Sequence, residues 1–378
     1  MSRADARWMR RALEAAARGR GRVSPNPLVG AAVVRGGRLV ALGHHARYGA
    51  PHAEVAAIRR AGRRARGAAL YVTLEPCAHQ GKTPPCVRAI LAAGIARVVA
   101  AIRDPNPLVN GRGLRALRRA GVKVSVGTLA PEARRLNEAY LTSITLGRPL
   151  VTLKSGMTLD GKIAASSGAS RWITSPGARR AARALRSEHD AVLVGIGTAL
   201  ADGPRLTPRG SRGAGRRPLR VVLDSEARLP AGAPIFRAAR GGPVIVYAAG
   251  GPASRIARLE KAGARVVLVR RGPGGVALPE VLADLARRGV RTLLVEGGSE
   301  VAWSFLREGA ADRIALFVAP RLLGGRAAPG VVGGEGFRRP PEAVRVRDLR
   351  VRRIGADLLL TGRIAGGGGR RRLRYLGA

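Results

Sequence analysis

Apolar residues recur along this chain with two periods, and the alternation between them predicts its elements. At residues 4–18, Trp8, Met9, Leu13 and Ala16 fall on one helical face, and Gly19 and Gly21 close the run. Ser24-Pro25-Asn26-Pro27 reads as a rigid turn, because two prolines fix φ and exclude helix. Short apolar runs at 28–34 and 38–43 predict strands, and Gly36-Gly37 between them suits a two-residue hairpin. A helix starts near His52, with Val55, Ala56 and Ile58 turned inward. Strand 69–74, a helix from Pro85-Cys86 through Ala93, strand 96–102, loop 104–110, helix 111–120, strand 122–126 and helix 131–146 follow. Strands and helices in this order predict a mixed sheet with helices on both faces. Gly147-Arg148-Pro149 reads as a domain boundary.

The second half repeats the alternation. Strands are expected at 150–154, 190–194, 219–223, 243–247, 265–269 and 292–295, with helices at 176–187, 252–261, 278–288 and 299–307. Residues 312–319 and 343–363 read as the final strands. Gly297-Gly298 lies between a buried strand and a helix start, where free backbone N–H groups can cradle a phosphate. No GxGxxG follows the first strand of this half, which argues against an ordinary dinucleotide Rossmann site. Glycines 366–369 followed by Arg370-Arg371-Arg372 predict a flexible basic tail over 366–378.

Composition narrows the class. A chain of 378 residues with 46% hydrophobic positions suggests two domains, or three, each with a real core. No apolar run approaches the roughly 20 residues of a membrane span, and Met1-Ser2-Arg3-Ala4-Asp5 has no apolar signal region. The expectation is a soluble, cytoplasmic protein without a membrane partner. The formal charge is +44, and only five of the 68 basic residues are lysine. Nucleic-acid surfaces gather charge in one patch and add aromatics. Here arginines are spread along the chain and aromatics make up 3%. We therefore expect no specific nucleic-acid partner, although such a field attracts phosphate backbones at low salt.

The candidate chemistry lies between Pro51 and Cys86. His52 is followed two residues later by Glu54, and the chain's two cysteines, Cys77 and Cys86, both fall here. One His, two Cys and a neighbouring Glu form the donor set of a zinc hydrolytic deaminase. In that chemistry the metal lowers the pKa of a water to roughly 7. The Glu is no ligand; it takes the water's proton and returns it to the leaving amine. The usual signature has two residues between its cysteines, whereas this chain has eight, Ala78 to Pro85. The bland alternatives are two small buried hydrophobes or a disulfide. His79, between the cysteines, suits a loop or substrate contact, and His44 and His45 read as loop or surface histidines.

The loop Glu75-Pro76-Cys77-Ala78-His79-Gln80-Gly81-Lys82-Thr83-Pro84-Pro85-Cys86 resembles that of the bifunctional riboflavin-biosynthesis enzymes, a pyrimidine deaminase fused to a ribosyl reductase. The segments Leu153–Ala164, Ser170–Thr174, Ala201–Arg209 and Val295–Ser299 resemble the reductase half of the same family. The resemblance implies a cytidine-deaminase-like three-layer α/β/α domain over 1–146 and a dihydrofolate-reductase-like α/β domain over 149–365. It implies Zn2+ on His52, Cys77 and Cys86, with Glu54 catalytic and Asn26 touching substrate. Asp104-Pro105-Asn106-Pro107 looks like the family's substrate loop. In the second half Gly156, Trp172, Thr198, Asp202, Ser225 and the run Gly298, Ser299, Glu300, Val301, Ala302, Trp303, Ser304 would line an NADPH site. Ser170, Arg186, Leu206, Arg209 and Glu296 would contact the substrate, a pyrimidine ribosylamine phosphate. Arg186 and Arg209 suit its phosphate, since guanidinium binds phosphate oxygens at two points. Lys154 and Asp160 either position the ribose or pair with each other. The family commonly has two acids before the proline where this chain has Asp202-Gly203-Pro204, and Pro208 stiffens the approach to Arg209. A nucleic-acid base deaminase shares the zinc chemistry and is the rival, although the second domain argues against it. The complete donor set argues against a retired, purely binding fold. We expect a homo-oligomer.

Overall fold

The first helical stripe forms α1 (Arg3–Ala17), capped by Ser2, whose hydroxyl accepts the Asp5 N–H at 3.0 Å. The computed structural model describes residues 2–81, 83–208, 217–237 and 242–365. The expected tail at 366–378 therefore lies outside the described residues. The chain divides between Gly147 and Arg148 into two compact units.

In the first unit α1 is followed by β1 (Gly30–Arg35), β2 (Arg38–His44), α2 (Ala53–Ala61), β3 (Ala69–Val72), α3 (Cys86–Ala92), β4 (Arg97–Ala100), α4 (Arg112–Arg119), β5 (Lys123–Val126), α5 (Ala130–Leu136) and α6 (Glu138–Leu146). The sheet order is β2-β1-β3-β4-β5. β1 runs antiparallel to β2 and β3, and β3, β4 and β5 are parallel. Successive strand residues face opposite sides, and two cores result. Ala31, Val33, Leu70 and Val98 pack on α2, α3 and α4, while Ala32, Val34, Tyr71 and Val99 pack on α1, α5 and α6. The domain is the expected three-layer α/β/α sandwich. The single helix predicted over 131–146 is instead two, broken at Asn137 (φ −103°, ψ 19°). The Asn137 side chain accepts the Leu28 N–H at 2.8 Å and donates to the Leu28 carbonyl at 2.9 Å. The Asn137 backbone keeps its helical bonds, donating to the Ala133 carbonyl at 3.1 Å and accepting the Leu141 N–H at 2.9 Å, so the two helices meet at a kink whose side chain is pinned to a distant loop.

Asp5 ties α1 to the sheet. It is buried, takes the Arg97 guanidinium on both oxygens (3.0 and 2.9 Å) and accepts the Tyr71 hydroxyl at 2.7 Å. The Arg97 hydrogen bonds, opposed by burial, hold the Asp5 carboxyl below its usual range. A depressed carboxylate pKa contributes stability that is full above the unfolded value, about 4, and is lost as pH falls through the folded one. Asp5→Asn is expected to destabilise this unit by about 1.5–3 kcal/mol at pH 7, the range for hydrogen bonds to a charge. The gap between variant and parent should close on acidification, as read by denaturant unfolding of both proteins from pH 7 to pH 3. A gap that persists unchanged at low pH would remove the ionic account.

The second unit contains β6 (Leu150–Thr158), α7 (Pro176–Glu188), β7 (Ala191–Gly195), α8 (Ile196–Asp202), β8 (Leu219–Leu223), β9 (Val244–Ala248), α9 (Ala253–Lys261), β10 (Ala264–Leu268), α10 (Leu278–Arg287), β11 (Thr292–Val295), α11 (Ser299–Arg307), β12 (Arg313–Ala319), β13 (Val346–Ile354) and β14 (Asp357–Ile364). Its sheet order is β10-β9-β8-β7-β11-β6-β12-β14-β13. Every pair from β10 to β12 is parallel, and the β13–β14 hairpin adds an antiparallel edge. This is the α/β architecture expected of a dihydrofolate-reductase-like domain. The helix α8 was not predicted. It is one short segment ending at Gly203, a left-handed C-cap (φ 52°) that glycine takes without strain. That geometry accounts for Gly203 where the family commonly carries an acid.

Candidate active sites

His52 is the N-cap of α2, in extended conformation (φ −66°, ψ 160°). Cys77 follows β3, and Cys86 opens α3 behind Pro85. The His52 Nδ1 lies 3.1 Å from the Cys86 Sγ and 3.5 Å from the Cys77 Sγ. The three donor atoms all lie within 4.8 Å of one another, and the two thiols are not bonded to each other. Donors at about 2.0–2.3 Å from a tetrahedral zinc stand roughly 3.5–3.8 Å apart, so the set fits that ion. The two sulfurs perturb each other in opposite directions. A hydrogen bond from Cys86, with His52 alongside, pulls the Cys77 thiol down to about 4, while the bond to Cys77 and burial push Cys86 up. The Cys77 hydrogen bond, opposed by burial, raises the His52 imidazole.

Glu54 stands in the first turn of α2, buried, with its carboxyl against the Cys86 thiol. Burial, with the Cys77 charge, pushes it up to about 7. On a regular helix residues two apart do not share a face. His52 and Glu54 nonetheless converge, because His52 is still in extended chain and only Glu54 is helical.

Three further groups surround this centre without having been marked by spacing. His45 reads in sequence as loop or surface, yet it is 3% exposed. Its Nδ1 meets the Pro51 carbonyl at 3.2 Å, its Nε2 meets the Asn26 amide nitrogen at 3.1 Å, and its ring stands edge-on to His52 at 5.5 Å. Asn26 is thereby held beside the metal-ligand histidine's neighbour. Glu75, buried, accepts the backbone N–H groups of Asp104, Gly111, Gly113 and Leu114 at 2.9–3.3 Å. One carboxylate thus binds loop 104–111 and the start of α4 to the strand end that carries Cys77. Asp104 accepts the Tyr140 hydroxyl at 3.0 and 3.1 Å and the Asn106 N–H at 2.9 Å, and burial pushes it up to about 6. His79 has a buried Nδ1 without a hydrogen bond among the described residues.

The second unit carries a cleft of about 1190 Å3 across the C-terminal ends of its parallel strands. Gly156, Trp172, Thr198, Asp202, Ser225 and Gly298 line it, as do Ser299, Glu300, Val301, Trp303 and Ser304. Ser170, Arg186 and Glu296 line it as well. Ala302 does not, since its place on α11 turns it off the cleft. Leu206 is 1% exposed and packs into the core with Val192 and Val222. An apolar side chain there gains more from that core than from an open cleft. Arg209 lies outside the described residues.

At the cleft floor Glu296 takes Arg186 through Nε (2.7 Å) and Nη2 (3.0 Å) and Lys154 at 3.2 Å. Burial would raise the Glu296 carboxyl, but Lys154 and Arg186 override it and hold it at about 2. The remaining Arg186 nitrogen, Nη1, donates to the Thr207 carbonyl at 3.2 Å. The Arg186 fork is therefore occupied by protein partners, where the sequence suggested a phosphate. Lys154 and Asp160 do not pair: Asp160 accepts the Thr158 hydroxyl and the N–H groups of Leu323 and Gly324. A side chain at Gly297 would place its Cβ 2.6 Å from Val301. Glycine there lets the chain pack on Val301, and Gly297, Gly298 and Ser299 line the cleft at the start of α11, where helix N–H groups suit a pyrophosphate, so the lining fits a dinucleotide.

Comparison with known proteins bears on both domains. The model of the cytidine and deoxycytidylate deaminase zinc-binding region matches residues 2–102, and that of the RibD C-terminal domain matches 149–360. The riboflavin biosynthesis protein RibD of Aquifex aeolicus is 42% identical over 94% of this chain and 97% of its own length. RibD of Escherichia coli is 39% identical over 94% of this chain and 98% of its own. The solved structure of Acinetobacter baumannii RibD superposes with a TM-score of 0.85 at 36% identity, covering 96% of this chain and 99% of that one. The Thermotoga maritima diaminohydroxyphosphoribosylaminopyrimidine deaminase/5-amino-6-(5-phosphoribosylamino)uracil reductase gives 0.80 at 36% identity, with 96% and 99% covered. The chain belongs to the RibD family of bifunctional riboflavin-biosynthesis enzymes, with a zinc-binding deaminase domain ahead of an NADPH-dependent reductase domain.

Proposed function

We propose that residues 1–146 hydrolyse the 2-amino group of 2,5-diamino-6-(5-phosphoribosylamino)pyrimidin-4(3H)-one, and that residues 149–365 reduce the ribosyl group of the product to ribityl with NADPH. The observation that carries this reading is the meeting of three zinc donors within 4.8 Å beside a buried carboxyl. His52 through Nδ1 and Cys77 and Cys86 through Sγ hold the ion. When bound, zinc supplies the acidity that readies a water for attack at neutral pH. Glu54 takes a proton from that water and returns one to the departing amine, so that a C–N bond is exchanged for a C–O bond and ammonia leaves. Asn26, fixed by His45, orients the substrate. In the second domain Gly297 and Gly298 take the cofactor pyrophosphate, and the Lys154–Glu296–Arg186 cluster holds the sugar end of the substrate.

The reading brings with it a small anionic substrate, a cytoplasmic location and a homo-oligomer. Among the described residues no helix is long and apolar enough to cross a membrane. The test is a pair of assays on the full chain before and after chelation. Chelation should abolish ammonia release and leave NADPH oxidation on pre-deaminated substrate unchanged. Ammonia release that survives removal of the metal would sink the deaminase half. NADPH that neither binds nor is consumed would sink the reductase half.

A further inference from the structure

The cleft of the second unit follows the strand order of the sheet. Lys154 and Gly156 stand on β6, Glu296 and Gly297 follow β11, Gly195 ends β7, and Ser225 and Arg228 follow β8. These strands are neighbours in that order, and all are parallel. Three strand steps of about 4.8 Å separate β6 from β8, or about 14 Å in all. With the pyrophosphate at Gly297-Gly298 and the reacting end beside Lys154, the adenosine half of the cofactor extends over β8.

The cations lining that half are Arg228 and Arg307. Arg307 is paired with Glu308 at 3.8 Å. Arg228 is half-exposed, and its one ion-pair partner among the described residues is the fully buried Asp224, with Nε 3.9 Å from Oδ1, beyond hydrogen-bond reach. Arg228 also lines a second cavity of about 510 Å3, with Arg255 and Arg258 of α9 as its other cations. Neither of those guanidinium groups has an ion pair or hydrogen bond among the described residues. Three like charges turned to one hollow repel each other unless an anion lies between them.

We propose that Arg228, backed by Arg255 and Arg258, receives the 2′-phosphate of the NADPH adenosine and so sets the preference for NADPH over NADH. This rests on the reading of the cleft as the cofactor site. The 2′-phosphate is the one group that distinguishes the two cofactors. It is also far from the reacting carbon, so its receptor governs binding and not the chemical step.

The test is calorimetric binding of adenosine 2′,5′-bisphosphate and of 5′-AMP to the full chain. The parent is expected to bind the bisphosphate at least about tenfold more tightly, the return on one charge-assisted two-point contact. Arg228→Ala should bring the two ligands to near parity by weakening the bisphosphate alone. Arg258→Ala, which leaves Asp224 its charged neighbour, should lose about two- to fivefold on the bisphosphate. Arg228→Lys should retain part of the preference. In turnover, KM for NADPH should rise about tenfold in Arg228→Ala, with kcat and the NADH parameters unchanged. Equal loss for both ligands, or no loss for either, overturns the assignment while leaving the cofactor site standing. A parent chain that binds neither ligand nor NADPH removes the cofactor reading and this inference with it.

Discussion

Glu54→Ala is expected to lower ammonia release by about 10²–10⁴-fold, the range supplied by a positioned general acid–base group, while zinc stays bound and ribosyl reduction proceeds at the parent rate. The separation of effects follows from where the residue stands. Glu54 is not among the three donors, whose mutual distances are set by the α2 N-cap, the end of β3 and the first turn of α3. Its carboxyl is buried against the Cys86 thiol and is raised by burial to about 7. Removing a buried carboxyl of this kind relieves a desolvation cost as it opens a small cavity, so the fold should tolerate the change. Glu54→Gln keeps the volume and removes the proton transfer; it should show the same loss, which separates chemistry from packing. Metal analysis, ammonia release and NADPH oxidation on pre-deaminated substrate read the three quantities independently. Ammonia release undiminished in both variants would exclude Glu54 as the proton carrier. Release lost together with zinc would instead make it part of the metal site.

Part of this arrangement was legible in the chain itself, and particular residues show where that legibility stops. Histidine and cysteine are scarce here, with five and two in 378 residues, so His52, Cys77 and Cys86 stand out as a set. Hydrophobic period and glycine punctuation located most strands and helices, because those signals are local. What escaped depends on partners far along the chain. The Asn137 side chain, at the junction of two helices, is anchored to the Leu28 backbone, 109 residues away. His45 is buried with its ring nitrogens on Asn26 and Pro51, partners that its own sequence neighbours do not announce. Glu75 reads as an ordinary acid beside a proline, and its four backbone donors come from a loop about 30 to 40 residues later. The family resemblance brought Ala302 to the cofactor site as a member of a run and Leu206 to the substrate site, and neither lines the cleft, Leu206 packing in the core instead. A motif transfers a segment, whereas only the backbone direction at each residue decides which side chains of that segment face a ligand.

Glu296→Gln is expected to destabilise the second unit by about 3–5 kcal/mol, the cost of leaving a buried ion-pair partner uncompensated, and to abolish ribosyl reduction without touching deamination. Glu296 has 8% of its side chain exposed, and its two cations, Lys154 and Arg186, have 18% and 16%. Solvent therefore screens this cluster little. The carboxylate is what keeps two positive groups together on the cleft floor; an amide satisfies some hydrogen bonds but cancels no charge. The pH dependence has a definite sign. Glu296 is held at about 2, below the ordinary value of about 4.3. Its contribution is therefore full above that ordinary value and falls away only as pH drops toward 2. The difference between parent and variant should stay constant from pH 9 to pH 5 and shrink in acid, as measured by denaturant unfolding. Adding Lys154→Met to Glu296→Gln removes one of the two stranded charges, so stability should partly return while reduction stays lost. A single variant within about 1 kcal/mol of the parent would show that the cluster is hydrated as a surface pair would be. A double variant that recovers both stability and NADPH oxidation would show that charge balance alone, and not the identity of these side chains, sustains the reaction.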